Sequence, residues 1–378
     1  MKVFIFLVLV FLKFSSTEAS PVKQGYDESL ASKLVYFAAA SFIGPNDANA
    51  DNLTNQCFTK AFPTGTWSTS IRYNVNCQTD YANDRCQGLI TWNEQLKVIV
   101  FAFRGTVGLS QLIHEAADSL KDFQNFSAPN TNANLGYVNK YFYQSMTQVW
   151  NQIKDYITNQ KFTGYQFYFT GHSLGGAIAT LAALQATAGN YTQNNNLQLY
   201  TFGEPRVGDY VLATNIQNYL QTKYRVVHYR DPVPHMPFCR DNGTVQCQKQ
   251  SGSPYHHPQE IWYKNSNQKM DVGTNGYMIC SPTDGGDNFC SDSISDAQFI
   301  LDGIDTKGAD FHYNYFNYKL DEWGPNGCSS EVDPTLSTSS DSSTSDSNTS
   351  DPEDGNSSNF TKFSTLLLTF SILVKSIF

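Results

Sequence analysis

The chain lacks an excess of positive charge, and this argues against polyanionic partners. Its 378 residues contain 25 Lys and Arg against 34 Asp and Glu, which gives a formal net charge of −9. The basic residues form no patch, whereas nucleic-acid-binding proteins cluster Lys and Arg against phosphates. Nucleic acid is therefore not expected as a partner. A hydrophobic content of 40% indicates a folded core.

The N-terminal apolar run is too short to be expected to span a bilayer. Residues 3–12 are apolar, Lys2 precedes them, and small residues lead up to Ala19. This pattern is typical of a secretory signal peptide rather than a membrane anchor. We expect residues 1–19 to be removed and residues 20–328 to form the folded domain.

The cysteines lack the CxxC spacing of a zinc site, so no metal or other cofactor is predicted. The chain has eight cysteines, and an even number in a secreted protein indicates four disulfides. Sequons for N-glycosylation are compatible with secretion but add little in an Asn-rich chain. They begin at Asn52, Asn125, Asn190, Asn242, Asn348, Asn356 and Asn359.

The C-terminal region has almost no apolar residues until its last part. Residues 329–355 are rich in Ser, Thr and Asp, which predicts a disordered, solvated stalk. Residues 356–378 form an apolar tail interrupted by two lysines. Small residues before this tail indicate a GPI-attachment signal, with attachment near Gly355 or Asn356. A direct membrane anchor and a plain hydrophobic tail are the alternatives.

Between these ends, strand-like and helix-like segments alternate, and no internal repeat is present. Such alternation predicts a mostly parallel sheet with helices on its faces. The predicted strands are 97–103, 165–170, 197–203 and 224–229, and the predicted helices are 138–158 and 174–188.

The sequence GHSLG at residues 171–175 lies between a predicted strand and a predicted helix. A G-x-S-x-G pentapeptide in this setting is typical of the nucleophile elbow, a sharp turn that exposes a serine hydroxyl at the sheet edge. The following helix presents N–H groups to a developing oxyanion. Ser173 is therefore the predicted nucleophile.

A nucleophilic serine needs a base and an acid that orients the base. With this elbow, the chain order is serine, acid, histidine. Asp231 follows a predicted strand and opens a proline-rich loop, so it is favoured over Asp209, which is more typical of a turn or helix cap. His312 is the favoured base because it comes last in the domain.

Other histidines remain as alternatives for the base. They are His235, which is only four residues from Asp231, and the adjacent His256 and His257. His172 adjoins the nucleophile and is interpreted as structural.

Six ordered motifs resemble the class 3 lipase family, the fungal-type triacylglycerol lipases. The resemblance spans roughly residues 30–328, and the motifs are FRGT (103–106), GHSLGGA (171–177), GEPRVGD (203–209), RDPVPHMP (230–237), HHPQEIWY (256–263) and FHYNYF (311–316).

The resemblance implies an α/β-hydrolase fold, with a mostly parallel central sheet and helices on both faces. It also implies Ser173 as nucleophile, Asp231 as acid and His312 as base. An oxyanion hole would come from the backbone N–H groups of Thr106 and Leu174, and His257 would be structural.

The resemblance also implies two disulfides, Cys57–Cys328 and Cys280–Cys290. With these taken from the family pattern, Cys77–Cys86 and Cys239–Cys247 remain as the other two pairs. The pair Cys239–Cys247 is extra to the family pattern.

Apolar residues recur at helical spacing between Leu109 and Leu120. Their place after FRGT resembles the family lid, a helix that covers the site and opens at a lipid surface. A fixed amphipathic surface helix is the alternative, since the segment has no Trp and is longer than usual.

These features predict a secreted serine ester hydrolase, a triacylglycerol lipase that forms an acyl-enzyme on Ser173. We expect it to act as a monomer on lipid or ester substrates at a lipid–water interface. A phospholipase A1 or another carboxylesterase is the alternative within the same chemistry. An inactive surface binding protein on a lipase scaffold is a remote alternative.

Overall fold

The computed structural model describes residues 25–78, 84–106, 122–131, 133–239, 246–265, 269–295, 298 and 306–329. The predicted signal peptide, lid helix, stalk beyond Ser329 and C-terminal tail lie outside the described residues. Within the described ranges, no helix is both long enough and apolar enough to cross a bilayer.

The strands and helices are numbered in chain order. The described strands are β1 (Ile71–Asn76), β2 (Arg85–Asn93), β3 (Val98–Phe103), β4 (Phe123–Ser127), β5 (Asn134–Asn139), β6 (Gln166–His172), β7 (Leu197–Phe202), β8 (Gly208–Asp209), β9 (Thr222–His228), β10 (Pro254–Tyr255), β11 (Glu260–Tyr263), β12 (Met278–Ile279), β13 (Asn314–Tyr315) and β14 (Tyr318–Lys319). The described helices are α1 (Glu28–Ala40), α2 (Ala50–Ala61), α3 (Lys140–Ile157), α4 (Leu174–Ala188), α5 (Tyr210–Tyr219), α6 (Thr306–Tyr313) and α7 (Leu320–Trp323).

The main sheet has eight strands in the order β1-β2-β3-β6-β7-β9-β11-β12. The strands from β3 to β11 in this order are parallel to their neighbours. At the edges, β1, β2 and β12 pair antiparallel. The predicted mostly parallel sheet is therefore confirmed.

Alternating residues of the strands build two hydrophobic cores, one on each face of the sheet. Phe101 and Phe169 pack on one face with residues of α3 and α4. Val100 and Phe202 pack on the other face with residues of α1 and α2. Because successive strand residues point to opposite faces, apolar runs such as VIVFAF in β3 fill both cores. The predicted helices on both faces are confirmed.

Helix α4 occupies the most enclosed position in the fold, and all 15 of its residues are buried. Its sequence is apolar on every side and rich in Ala, which suits a helix that is surrounded by protein. The helix begins one residue after Ser173. Burial of the whole helix therefore fixes the position of the predicted nucleophile.

Four disulfides join the same cysteine pairs that were expected from the sequence: Cys57–Cys328, Cys77–Cys86, Cys239–Cys247 and Cys280–Cys290. The first links α2 to the end of the described chain. The N-terminal helices, the antiparallel strands β1 and β2, and a small sheet of order β10-β8-β5-β4 had not been predicted.

Candidate active site

Ser173 lies at the sharp turn between β6 and α4, as the GHSLG motif predicts. Its backbone has φ 57° and ψ −128°, which L-residues rarely adopt. The Ser173 N–H donates to the carbonyl of Phe202 on the neighbouring strand β7, at 2.9 Å. Ser173 is 1% exposed, and its Oγ has no hydrogen-bond partner among the described residues.

The glycines of the motif allow three backbone segments to meet at this turn. A Cβ on Gly171 would lie 2.3 Å from the backbone carbon of Gly175. A Cβ on Gly175 would lie 2.1 Å from the carbonyl oxygen of Phe103, at the end of β3. A side chain at Gly171 would force the two ends of the turn apart, and a side chain at Gly175 would separate the turn from the FRGT segment.

The FRGT segment (residues 103–106) lies directly beside the nucleophile turn. A Cβ on Gly105 would be 2.7 Å from the carbonyl oxygen of His172 and 3.1 Å from Cβ of Ser173. Arg104 ties the segment to β2, because its guanidinium donates to Gln87 Oε1 at 2.6 Å. The Thr106 hydroxyl is buried and makes no hydrogen bond to the described residues.

His312 and Asp231 form a buried pair at the same end of the sheet. His312 Nδ1 lies 3.0 Å from each carboxylate oxygen of Asp231, and the two residues are 1% and 0% exposed. When Nδ1–H donates to the carboxylate, Nε2 is left to accept a proton. Of the candidate acids and bases, these two are brought together beside the nucleophile turn.

The environment of Asp231 keeps its carboxylate charged. Burial is the largest single influence and raises the pKa of Asp231, whereas the charge and hydrogen bond of His312 lower it. Hydrogen bonds from Tyr315 Oη, at 2.6 Å, and the Val233 N–H, at 2.9 Å, add to this effect. The net result is a pKa of Asp231 below its ordinary value. Tyr315 was not among the site residues expected from the sequence, although it stands in the FHYNYF motif three residues after His312.

His172 holds the backbone segment that carries His312. Its Nε2–H donates to the backbone carbonyl of His312 at 2.6 Å, and the two rings are 4.5 Å apart. Burial, together with the adjacent His312, lowers the pKa of His172 to about 3. A permanently neutral ring that holds the His312 backbone fits the structural interpretation of His172.

A buried clamp holds the acid loop, residues 231–237. The Arg206 guanidinium donates to the carbonyl oxygens of His235 and Pro237, and it forms an ion pair with Asp292 at 2.9 Å. Asp292 also contacts His235 Nδ1 at 3.0 Å. Because Arg206 is 2% exposed and Asp292 is 7% exposed, water competes little for these contacts. Neither Arg206 nor Asp292 was among the site residues expected from the sequence.

The alternative candidates lie in other networks. Asp209 caps α5 through the Leu212 N–H at 2.9 Å, as its helix-cap interpretation predicts. His256 donates to the carbonyl of Pro234 at 2.6 Å, and His257 lies 3.4 Å from Glu204. Together with His235 in the clamp, these histidines are placed to support the loops rather than to meet Ser173.

Comparison with known proteins decides the family. Residues 100–241 match the family model described as Lipase (class 3). A lipase of Caenorhabditis elegans is 30% identical over 332 residues, which is 84% of this chain and 86% of that protein. The chain belongs to the class 3 lipase family. It is therefore a hydrolase of lipid esters.

The chain also resembles other lipases in structure and in sequence. Lipase II from Rhizopus niveus superposes with a TM-score of 0.58 at 25% identity, over 77% of this chain and 95% of that structure. The expected α/β-hydrolase fold is confirmed. The secreted mono- and diacylglycerol lipase 1 of Fusarium solani is 42% identical over 73 residues, only 19% of this chain and 21% of that protein.

Proposed function

We propose that this class 3 lipase is a secreted triacylglycerol lipase in which Ser173, His312 and Asp231 form the catalytic triad. The observation that carries the proposal is the buried His312–Asp231 pair, with Nδ1 3.0 Å from both carboxylate oxygens, at the strained turn that holds Ser173. The pair fixes the ring so that Nε2 can act as the base. Only a neutral imidazole can accept the Ser173 proton.

In the proposed reaction, Ser173 Oγ attacks the ester carbonyl carbon while its proton passes to His312 Nε2. The carbonyl oxygen becomes an oxyanion that accepts hydrogen bonds from the backbone N–H groups of Thr106 and Leu174. Removal of one such donor typically costs about 3 kcal/mol of transition-state stabilisation. The tetrahedral intermediate collapses, His312 protonates the departing alcohol, and an acyl group stays on Ser173. Water then releases the fatty acid by the same steps.

Replacement of the nucleophile tests the mechanism directly. Ser173→Ala should lower kcat by several orders of magnitude while the protein still folds. An organophosphonate should label Ser173 in the parent and leave the variant unlabelled. His312→Ala should be equally inactive, whereas His235→Ala and His256→Ala should retain much more activity. Full activity of Ser173→Ala would refute the assignment.

The substrate class is tested with three kinds of ester. We expect emulsified triacylglycerols to be hydrolysed faster than phospholipids or short soluble esters. Preferential release of the sn-1 fatty acid from phospholipids would instead identify a phospholipase A1. Preference for soluble esters would identify a carboxylesterase, and no hydrolysis at all would favour the inactive binding scaffold.

We also propose that the enzyme acts outside the cell. Four disulfides and a secreted fungal relative support this location. The signal peptide at 1–19, the stalk at 329–355 and GPI attachment near Gly355 or Asn356 belong to this proposal. A phosphatidylinositol-specific phospholipase should release activity from intact cells. An intact Phe378 terminus on freely secreted protein, found by mass spectrometry, would contradict GPI attachment.

A further inference from the structure

Two large hydrophobic side chains beside one disulfide are left in solvent. Phe289 is 86% exposed and Ile279 is 60% exposed, whereas the other exposed large hydrophobic residues of the described chain reach at most 50%. Each directly precedes a cysteine of the Cys280–Cys290 pair, whose Cα atoms are 5.9 Å apart. The Cα atoms of Ile279 and Phe289 are therefore within about 14 Å of each other. Single exposed hydrophobic residues are ordinary, but here a disulfide holds two of them at a fixed separation.

The protein holds both ends of the loop that carries this pair. The Cys280 N–H donates to the backbone carbonyl of Glu260 at 3.0 Å. The Ser291 N–H donates to the Glu260 carboxylate at 3.1 Å. Glu260 lies on β11 and is 6% exposed. The apolar pair is thus presented by a rigid edge of the main sheet, so docking would cost little ordering of the chain.

The apolar pair lies at the end of the sheet where Ser173 lies. Ile279 pairs with Ile261, which stands in one row across the sheet with Val226, Phe202 and His172. His172 directly precedes the proposed nucleophile. Four strand spacings separate Ile279 from His172, or about 19 Å. A flat surface that touched the pair could therefore also face the active site.

The charge of the loop at residues 280–290 restricts the kind of surface on which the protein can dock. Residues 280–290 contain Asp284 and Asp287 and no Lys or Arg. The Lys249 ammonium pairs with Asp284 at 2.8 Å. The negative charge of Asp287 is not offset by any cation within residues 280–290. Proteins that bind anionic lipid surfaces use clusters of Lys and Arg. An acidic loop with an apolar tip fits a lipid surface that carries no net charge.

We propose that Ile279 and Phe289 dock the enzyme on uncharged lipid surfaces, by insertion of their side chains among acyl chains. This inference rests on the proposed function and adds a surface contact that is separate from the catalytic residues. It places the site of attachment on the β12 edge of the sheet.

Lipid binding is measured best in a protein that cannot consume the lipid. Ser173→Ala protein is mixed with triolein droplets coated with phosphatidylcholine, and the bound fraction is measured by flotation. When Ile279→Ser and Phe289→Ser are introduced into this inactive variant, its partitioning from water onto the droplets should weaken at least about tenfold. Ile71→Ser is the matched control, because Ile71 is 40% exposed on β1 at the opposite edge of the sheet. It should partition like its parent.

Activity measurements separate failure of this inference from failure of the proposed function. With Ser173 present, the double substitution should slow hydrolysis of the droplets and leave turnover of a soluble short-chain ester unchanged. If the parent hydrolyses no ester, the proposed function fails. The docking surface is refuted if the parent is active but the double variant binds the droplets as well as the parent does. It is also refuted if the active parent does not bind the droplets. Tighter binding to droplets that contain phosphatidylglycerol would refute its preference for uncharged lipid.

Discussion

At the scale of single residues, the proposed nucleophile Ser173 has an unfavourable backbone conformation. The conformation at φ 57° and ψ −128° costs an L-residue about 1–3 kcal/mol. Glycine relieves this strain, but its greater freedom in the unfolded chain costs about 0.5–1 kcal/mol. The strain is the larger of the two, so the elbow gives up stability to hold the Ser173 hydroxyl at the turn between β6 and α4.

Two inactive variants should therefore differ in stability. We expect Ser173→Gly to have a free energy of unfolding about 1 kcal/mol above that of Ser173→Ala. Urea unfolding with the disulfides intact measures the difference. If Ser173→Ala proves equally stable or more stable, the turn stores no strain.

Tyr315 is the next residue whose removal should be informative. Tyr315→Phe deletes one hydrogen bond to the buried carboxylate of Asp231, and such charged bonds are worth about 1.5–3 kcal/mol. We expect kcat/KM to fall about ten- to hundredfold. Because this bond helps to lower the pKa of Asp231, its loss should raise that pKa and shift the acid-side loss of activity to higher pH.

Tyr73→Phe provides the control for this prediction. The Tyr73 hydroxyl is buried and has no hydrogen-bond partner among the described residues. Its removal should leave kcat/KM and the pH profile unchanged. If both substitutions had the same effect on the profile, the Tyr315 effect would not act through Asp231.

At the scale of elements, the site depends on how loops are held at the ends of parallel strands. Asp231 follows β9 and Ser173 follows β6, and parallel pairing brings the carboxyl ends of these strands to one edge. The acid loop has little regular structure of its own. Its position depends on the contacts from Arg206, which come from the segment after β7.

Loss of the clamp should therefore be costly. Arg206→Met removes the guanidinium from the buried Asp292 carboxylate, which should lower the free energy of unfolding by about 3–5 kcal/mol. Replacement of both residues, Arg206→Met with Asp292→Leu, should recover part of the loss. Chemical denaturation of the single and double variants tests this double-mutant cycle. Strict additivity would show that the two side chains are not coupled.

An exposed ion pair serves as the comparison for the clamp. Lys249 and Asp284 lie 2.8 Å apart, but the lysine side chain is 52% exposed. Solvent screens such pairs, so Lys249→Met should leave stability nearly unchanged.

At the scale of the whole molecule, buried histidines couple stability to pH. Burial lowers the pKa of His172 to about 3, and it also lowers the pKa values of His256 and His257, although Glu204 opposes the effect at His257. In the unfolded chain a histidine has a pKa of about 6.5. Below that pH the unfolded state binds more protons than the folded state, so acid favours unfolding.

The free energy of unfolding should consequently fall as the pH drops below about 6.5. Each such histidine contributes up to about 1.4 kcal/mol per pH unit, and His172 continues to do so down to about pH 3. Urea unfolding between pH 7 and pH 4.5 measures the slope. His256→Gln should reduce the slope by up to one proton. A flat profile would mean that these histidines are protonated in the folded protein.

Several elements could be predicted because their signals are local. The predicted helix at 174–188 coincides with α4, and the strand predicted at 97–103 matches β3 within a residue. A continuous apolar run that is followed by a glycine, Gly105 or Gly189, is sufficient for both. Helices α1 and α2 were not predicted, although they cover one face of the sheet. Helix α1 packs on the distant strands β3, β6 and β7, and α2 packs on α1, so the burial of both depends on these strands rather than on a strong pattern of their own.

The sequence alone determined the residue types and their order: a serine in an elbow, an aspartate after a later strand and a histidine at the end of the domain. These follow from local backbone requirements and from chain order, which the sequence carries directly. Only the tertiary structure decided which histidine meets which acid and what holds them. The His312–Asp231 pair spans 81 residues and the His172–His312 contact spans 140. Such pairings depend on strand order and burial across the whole sheet, and no local pattern encodes them.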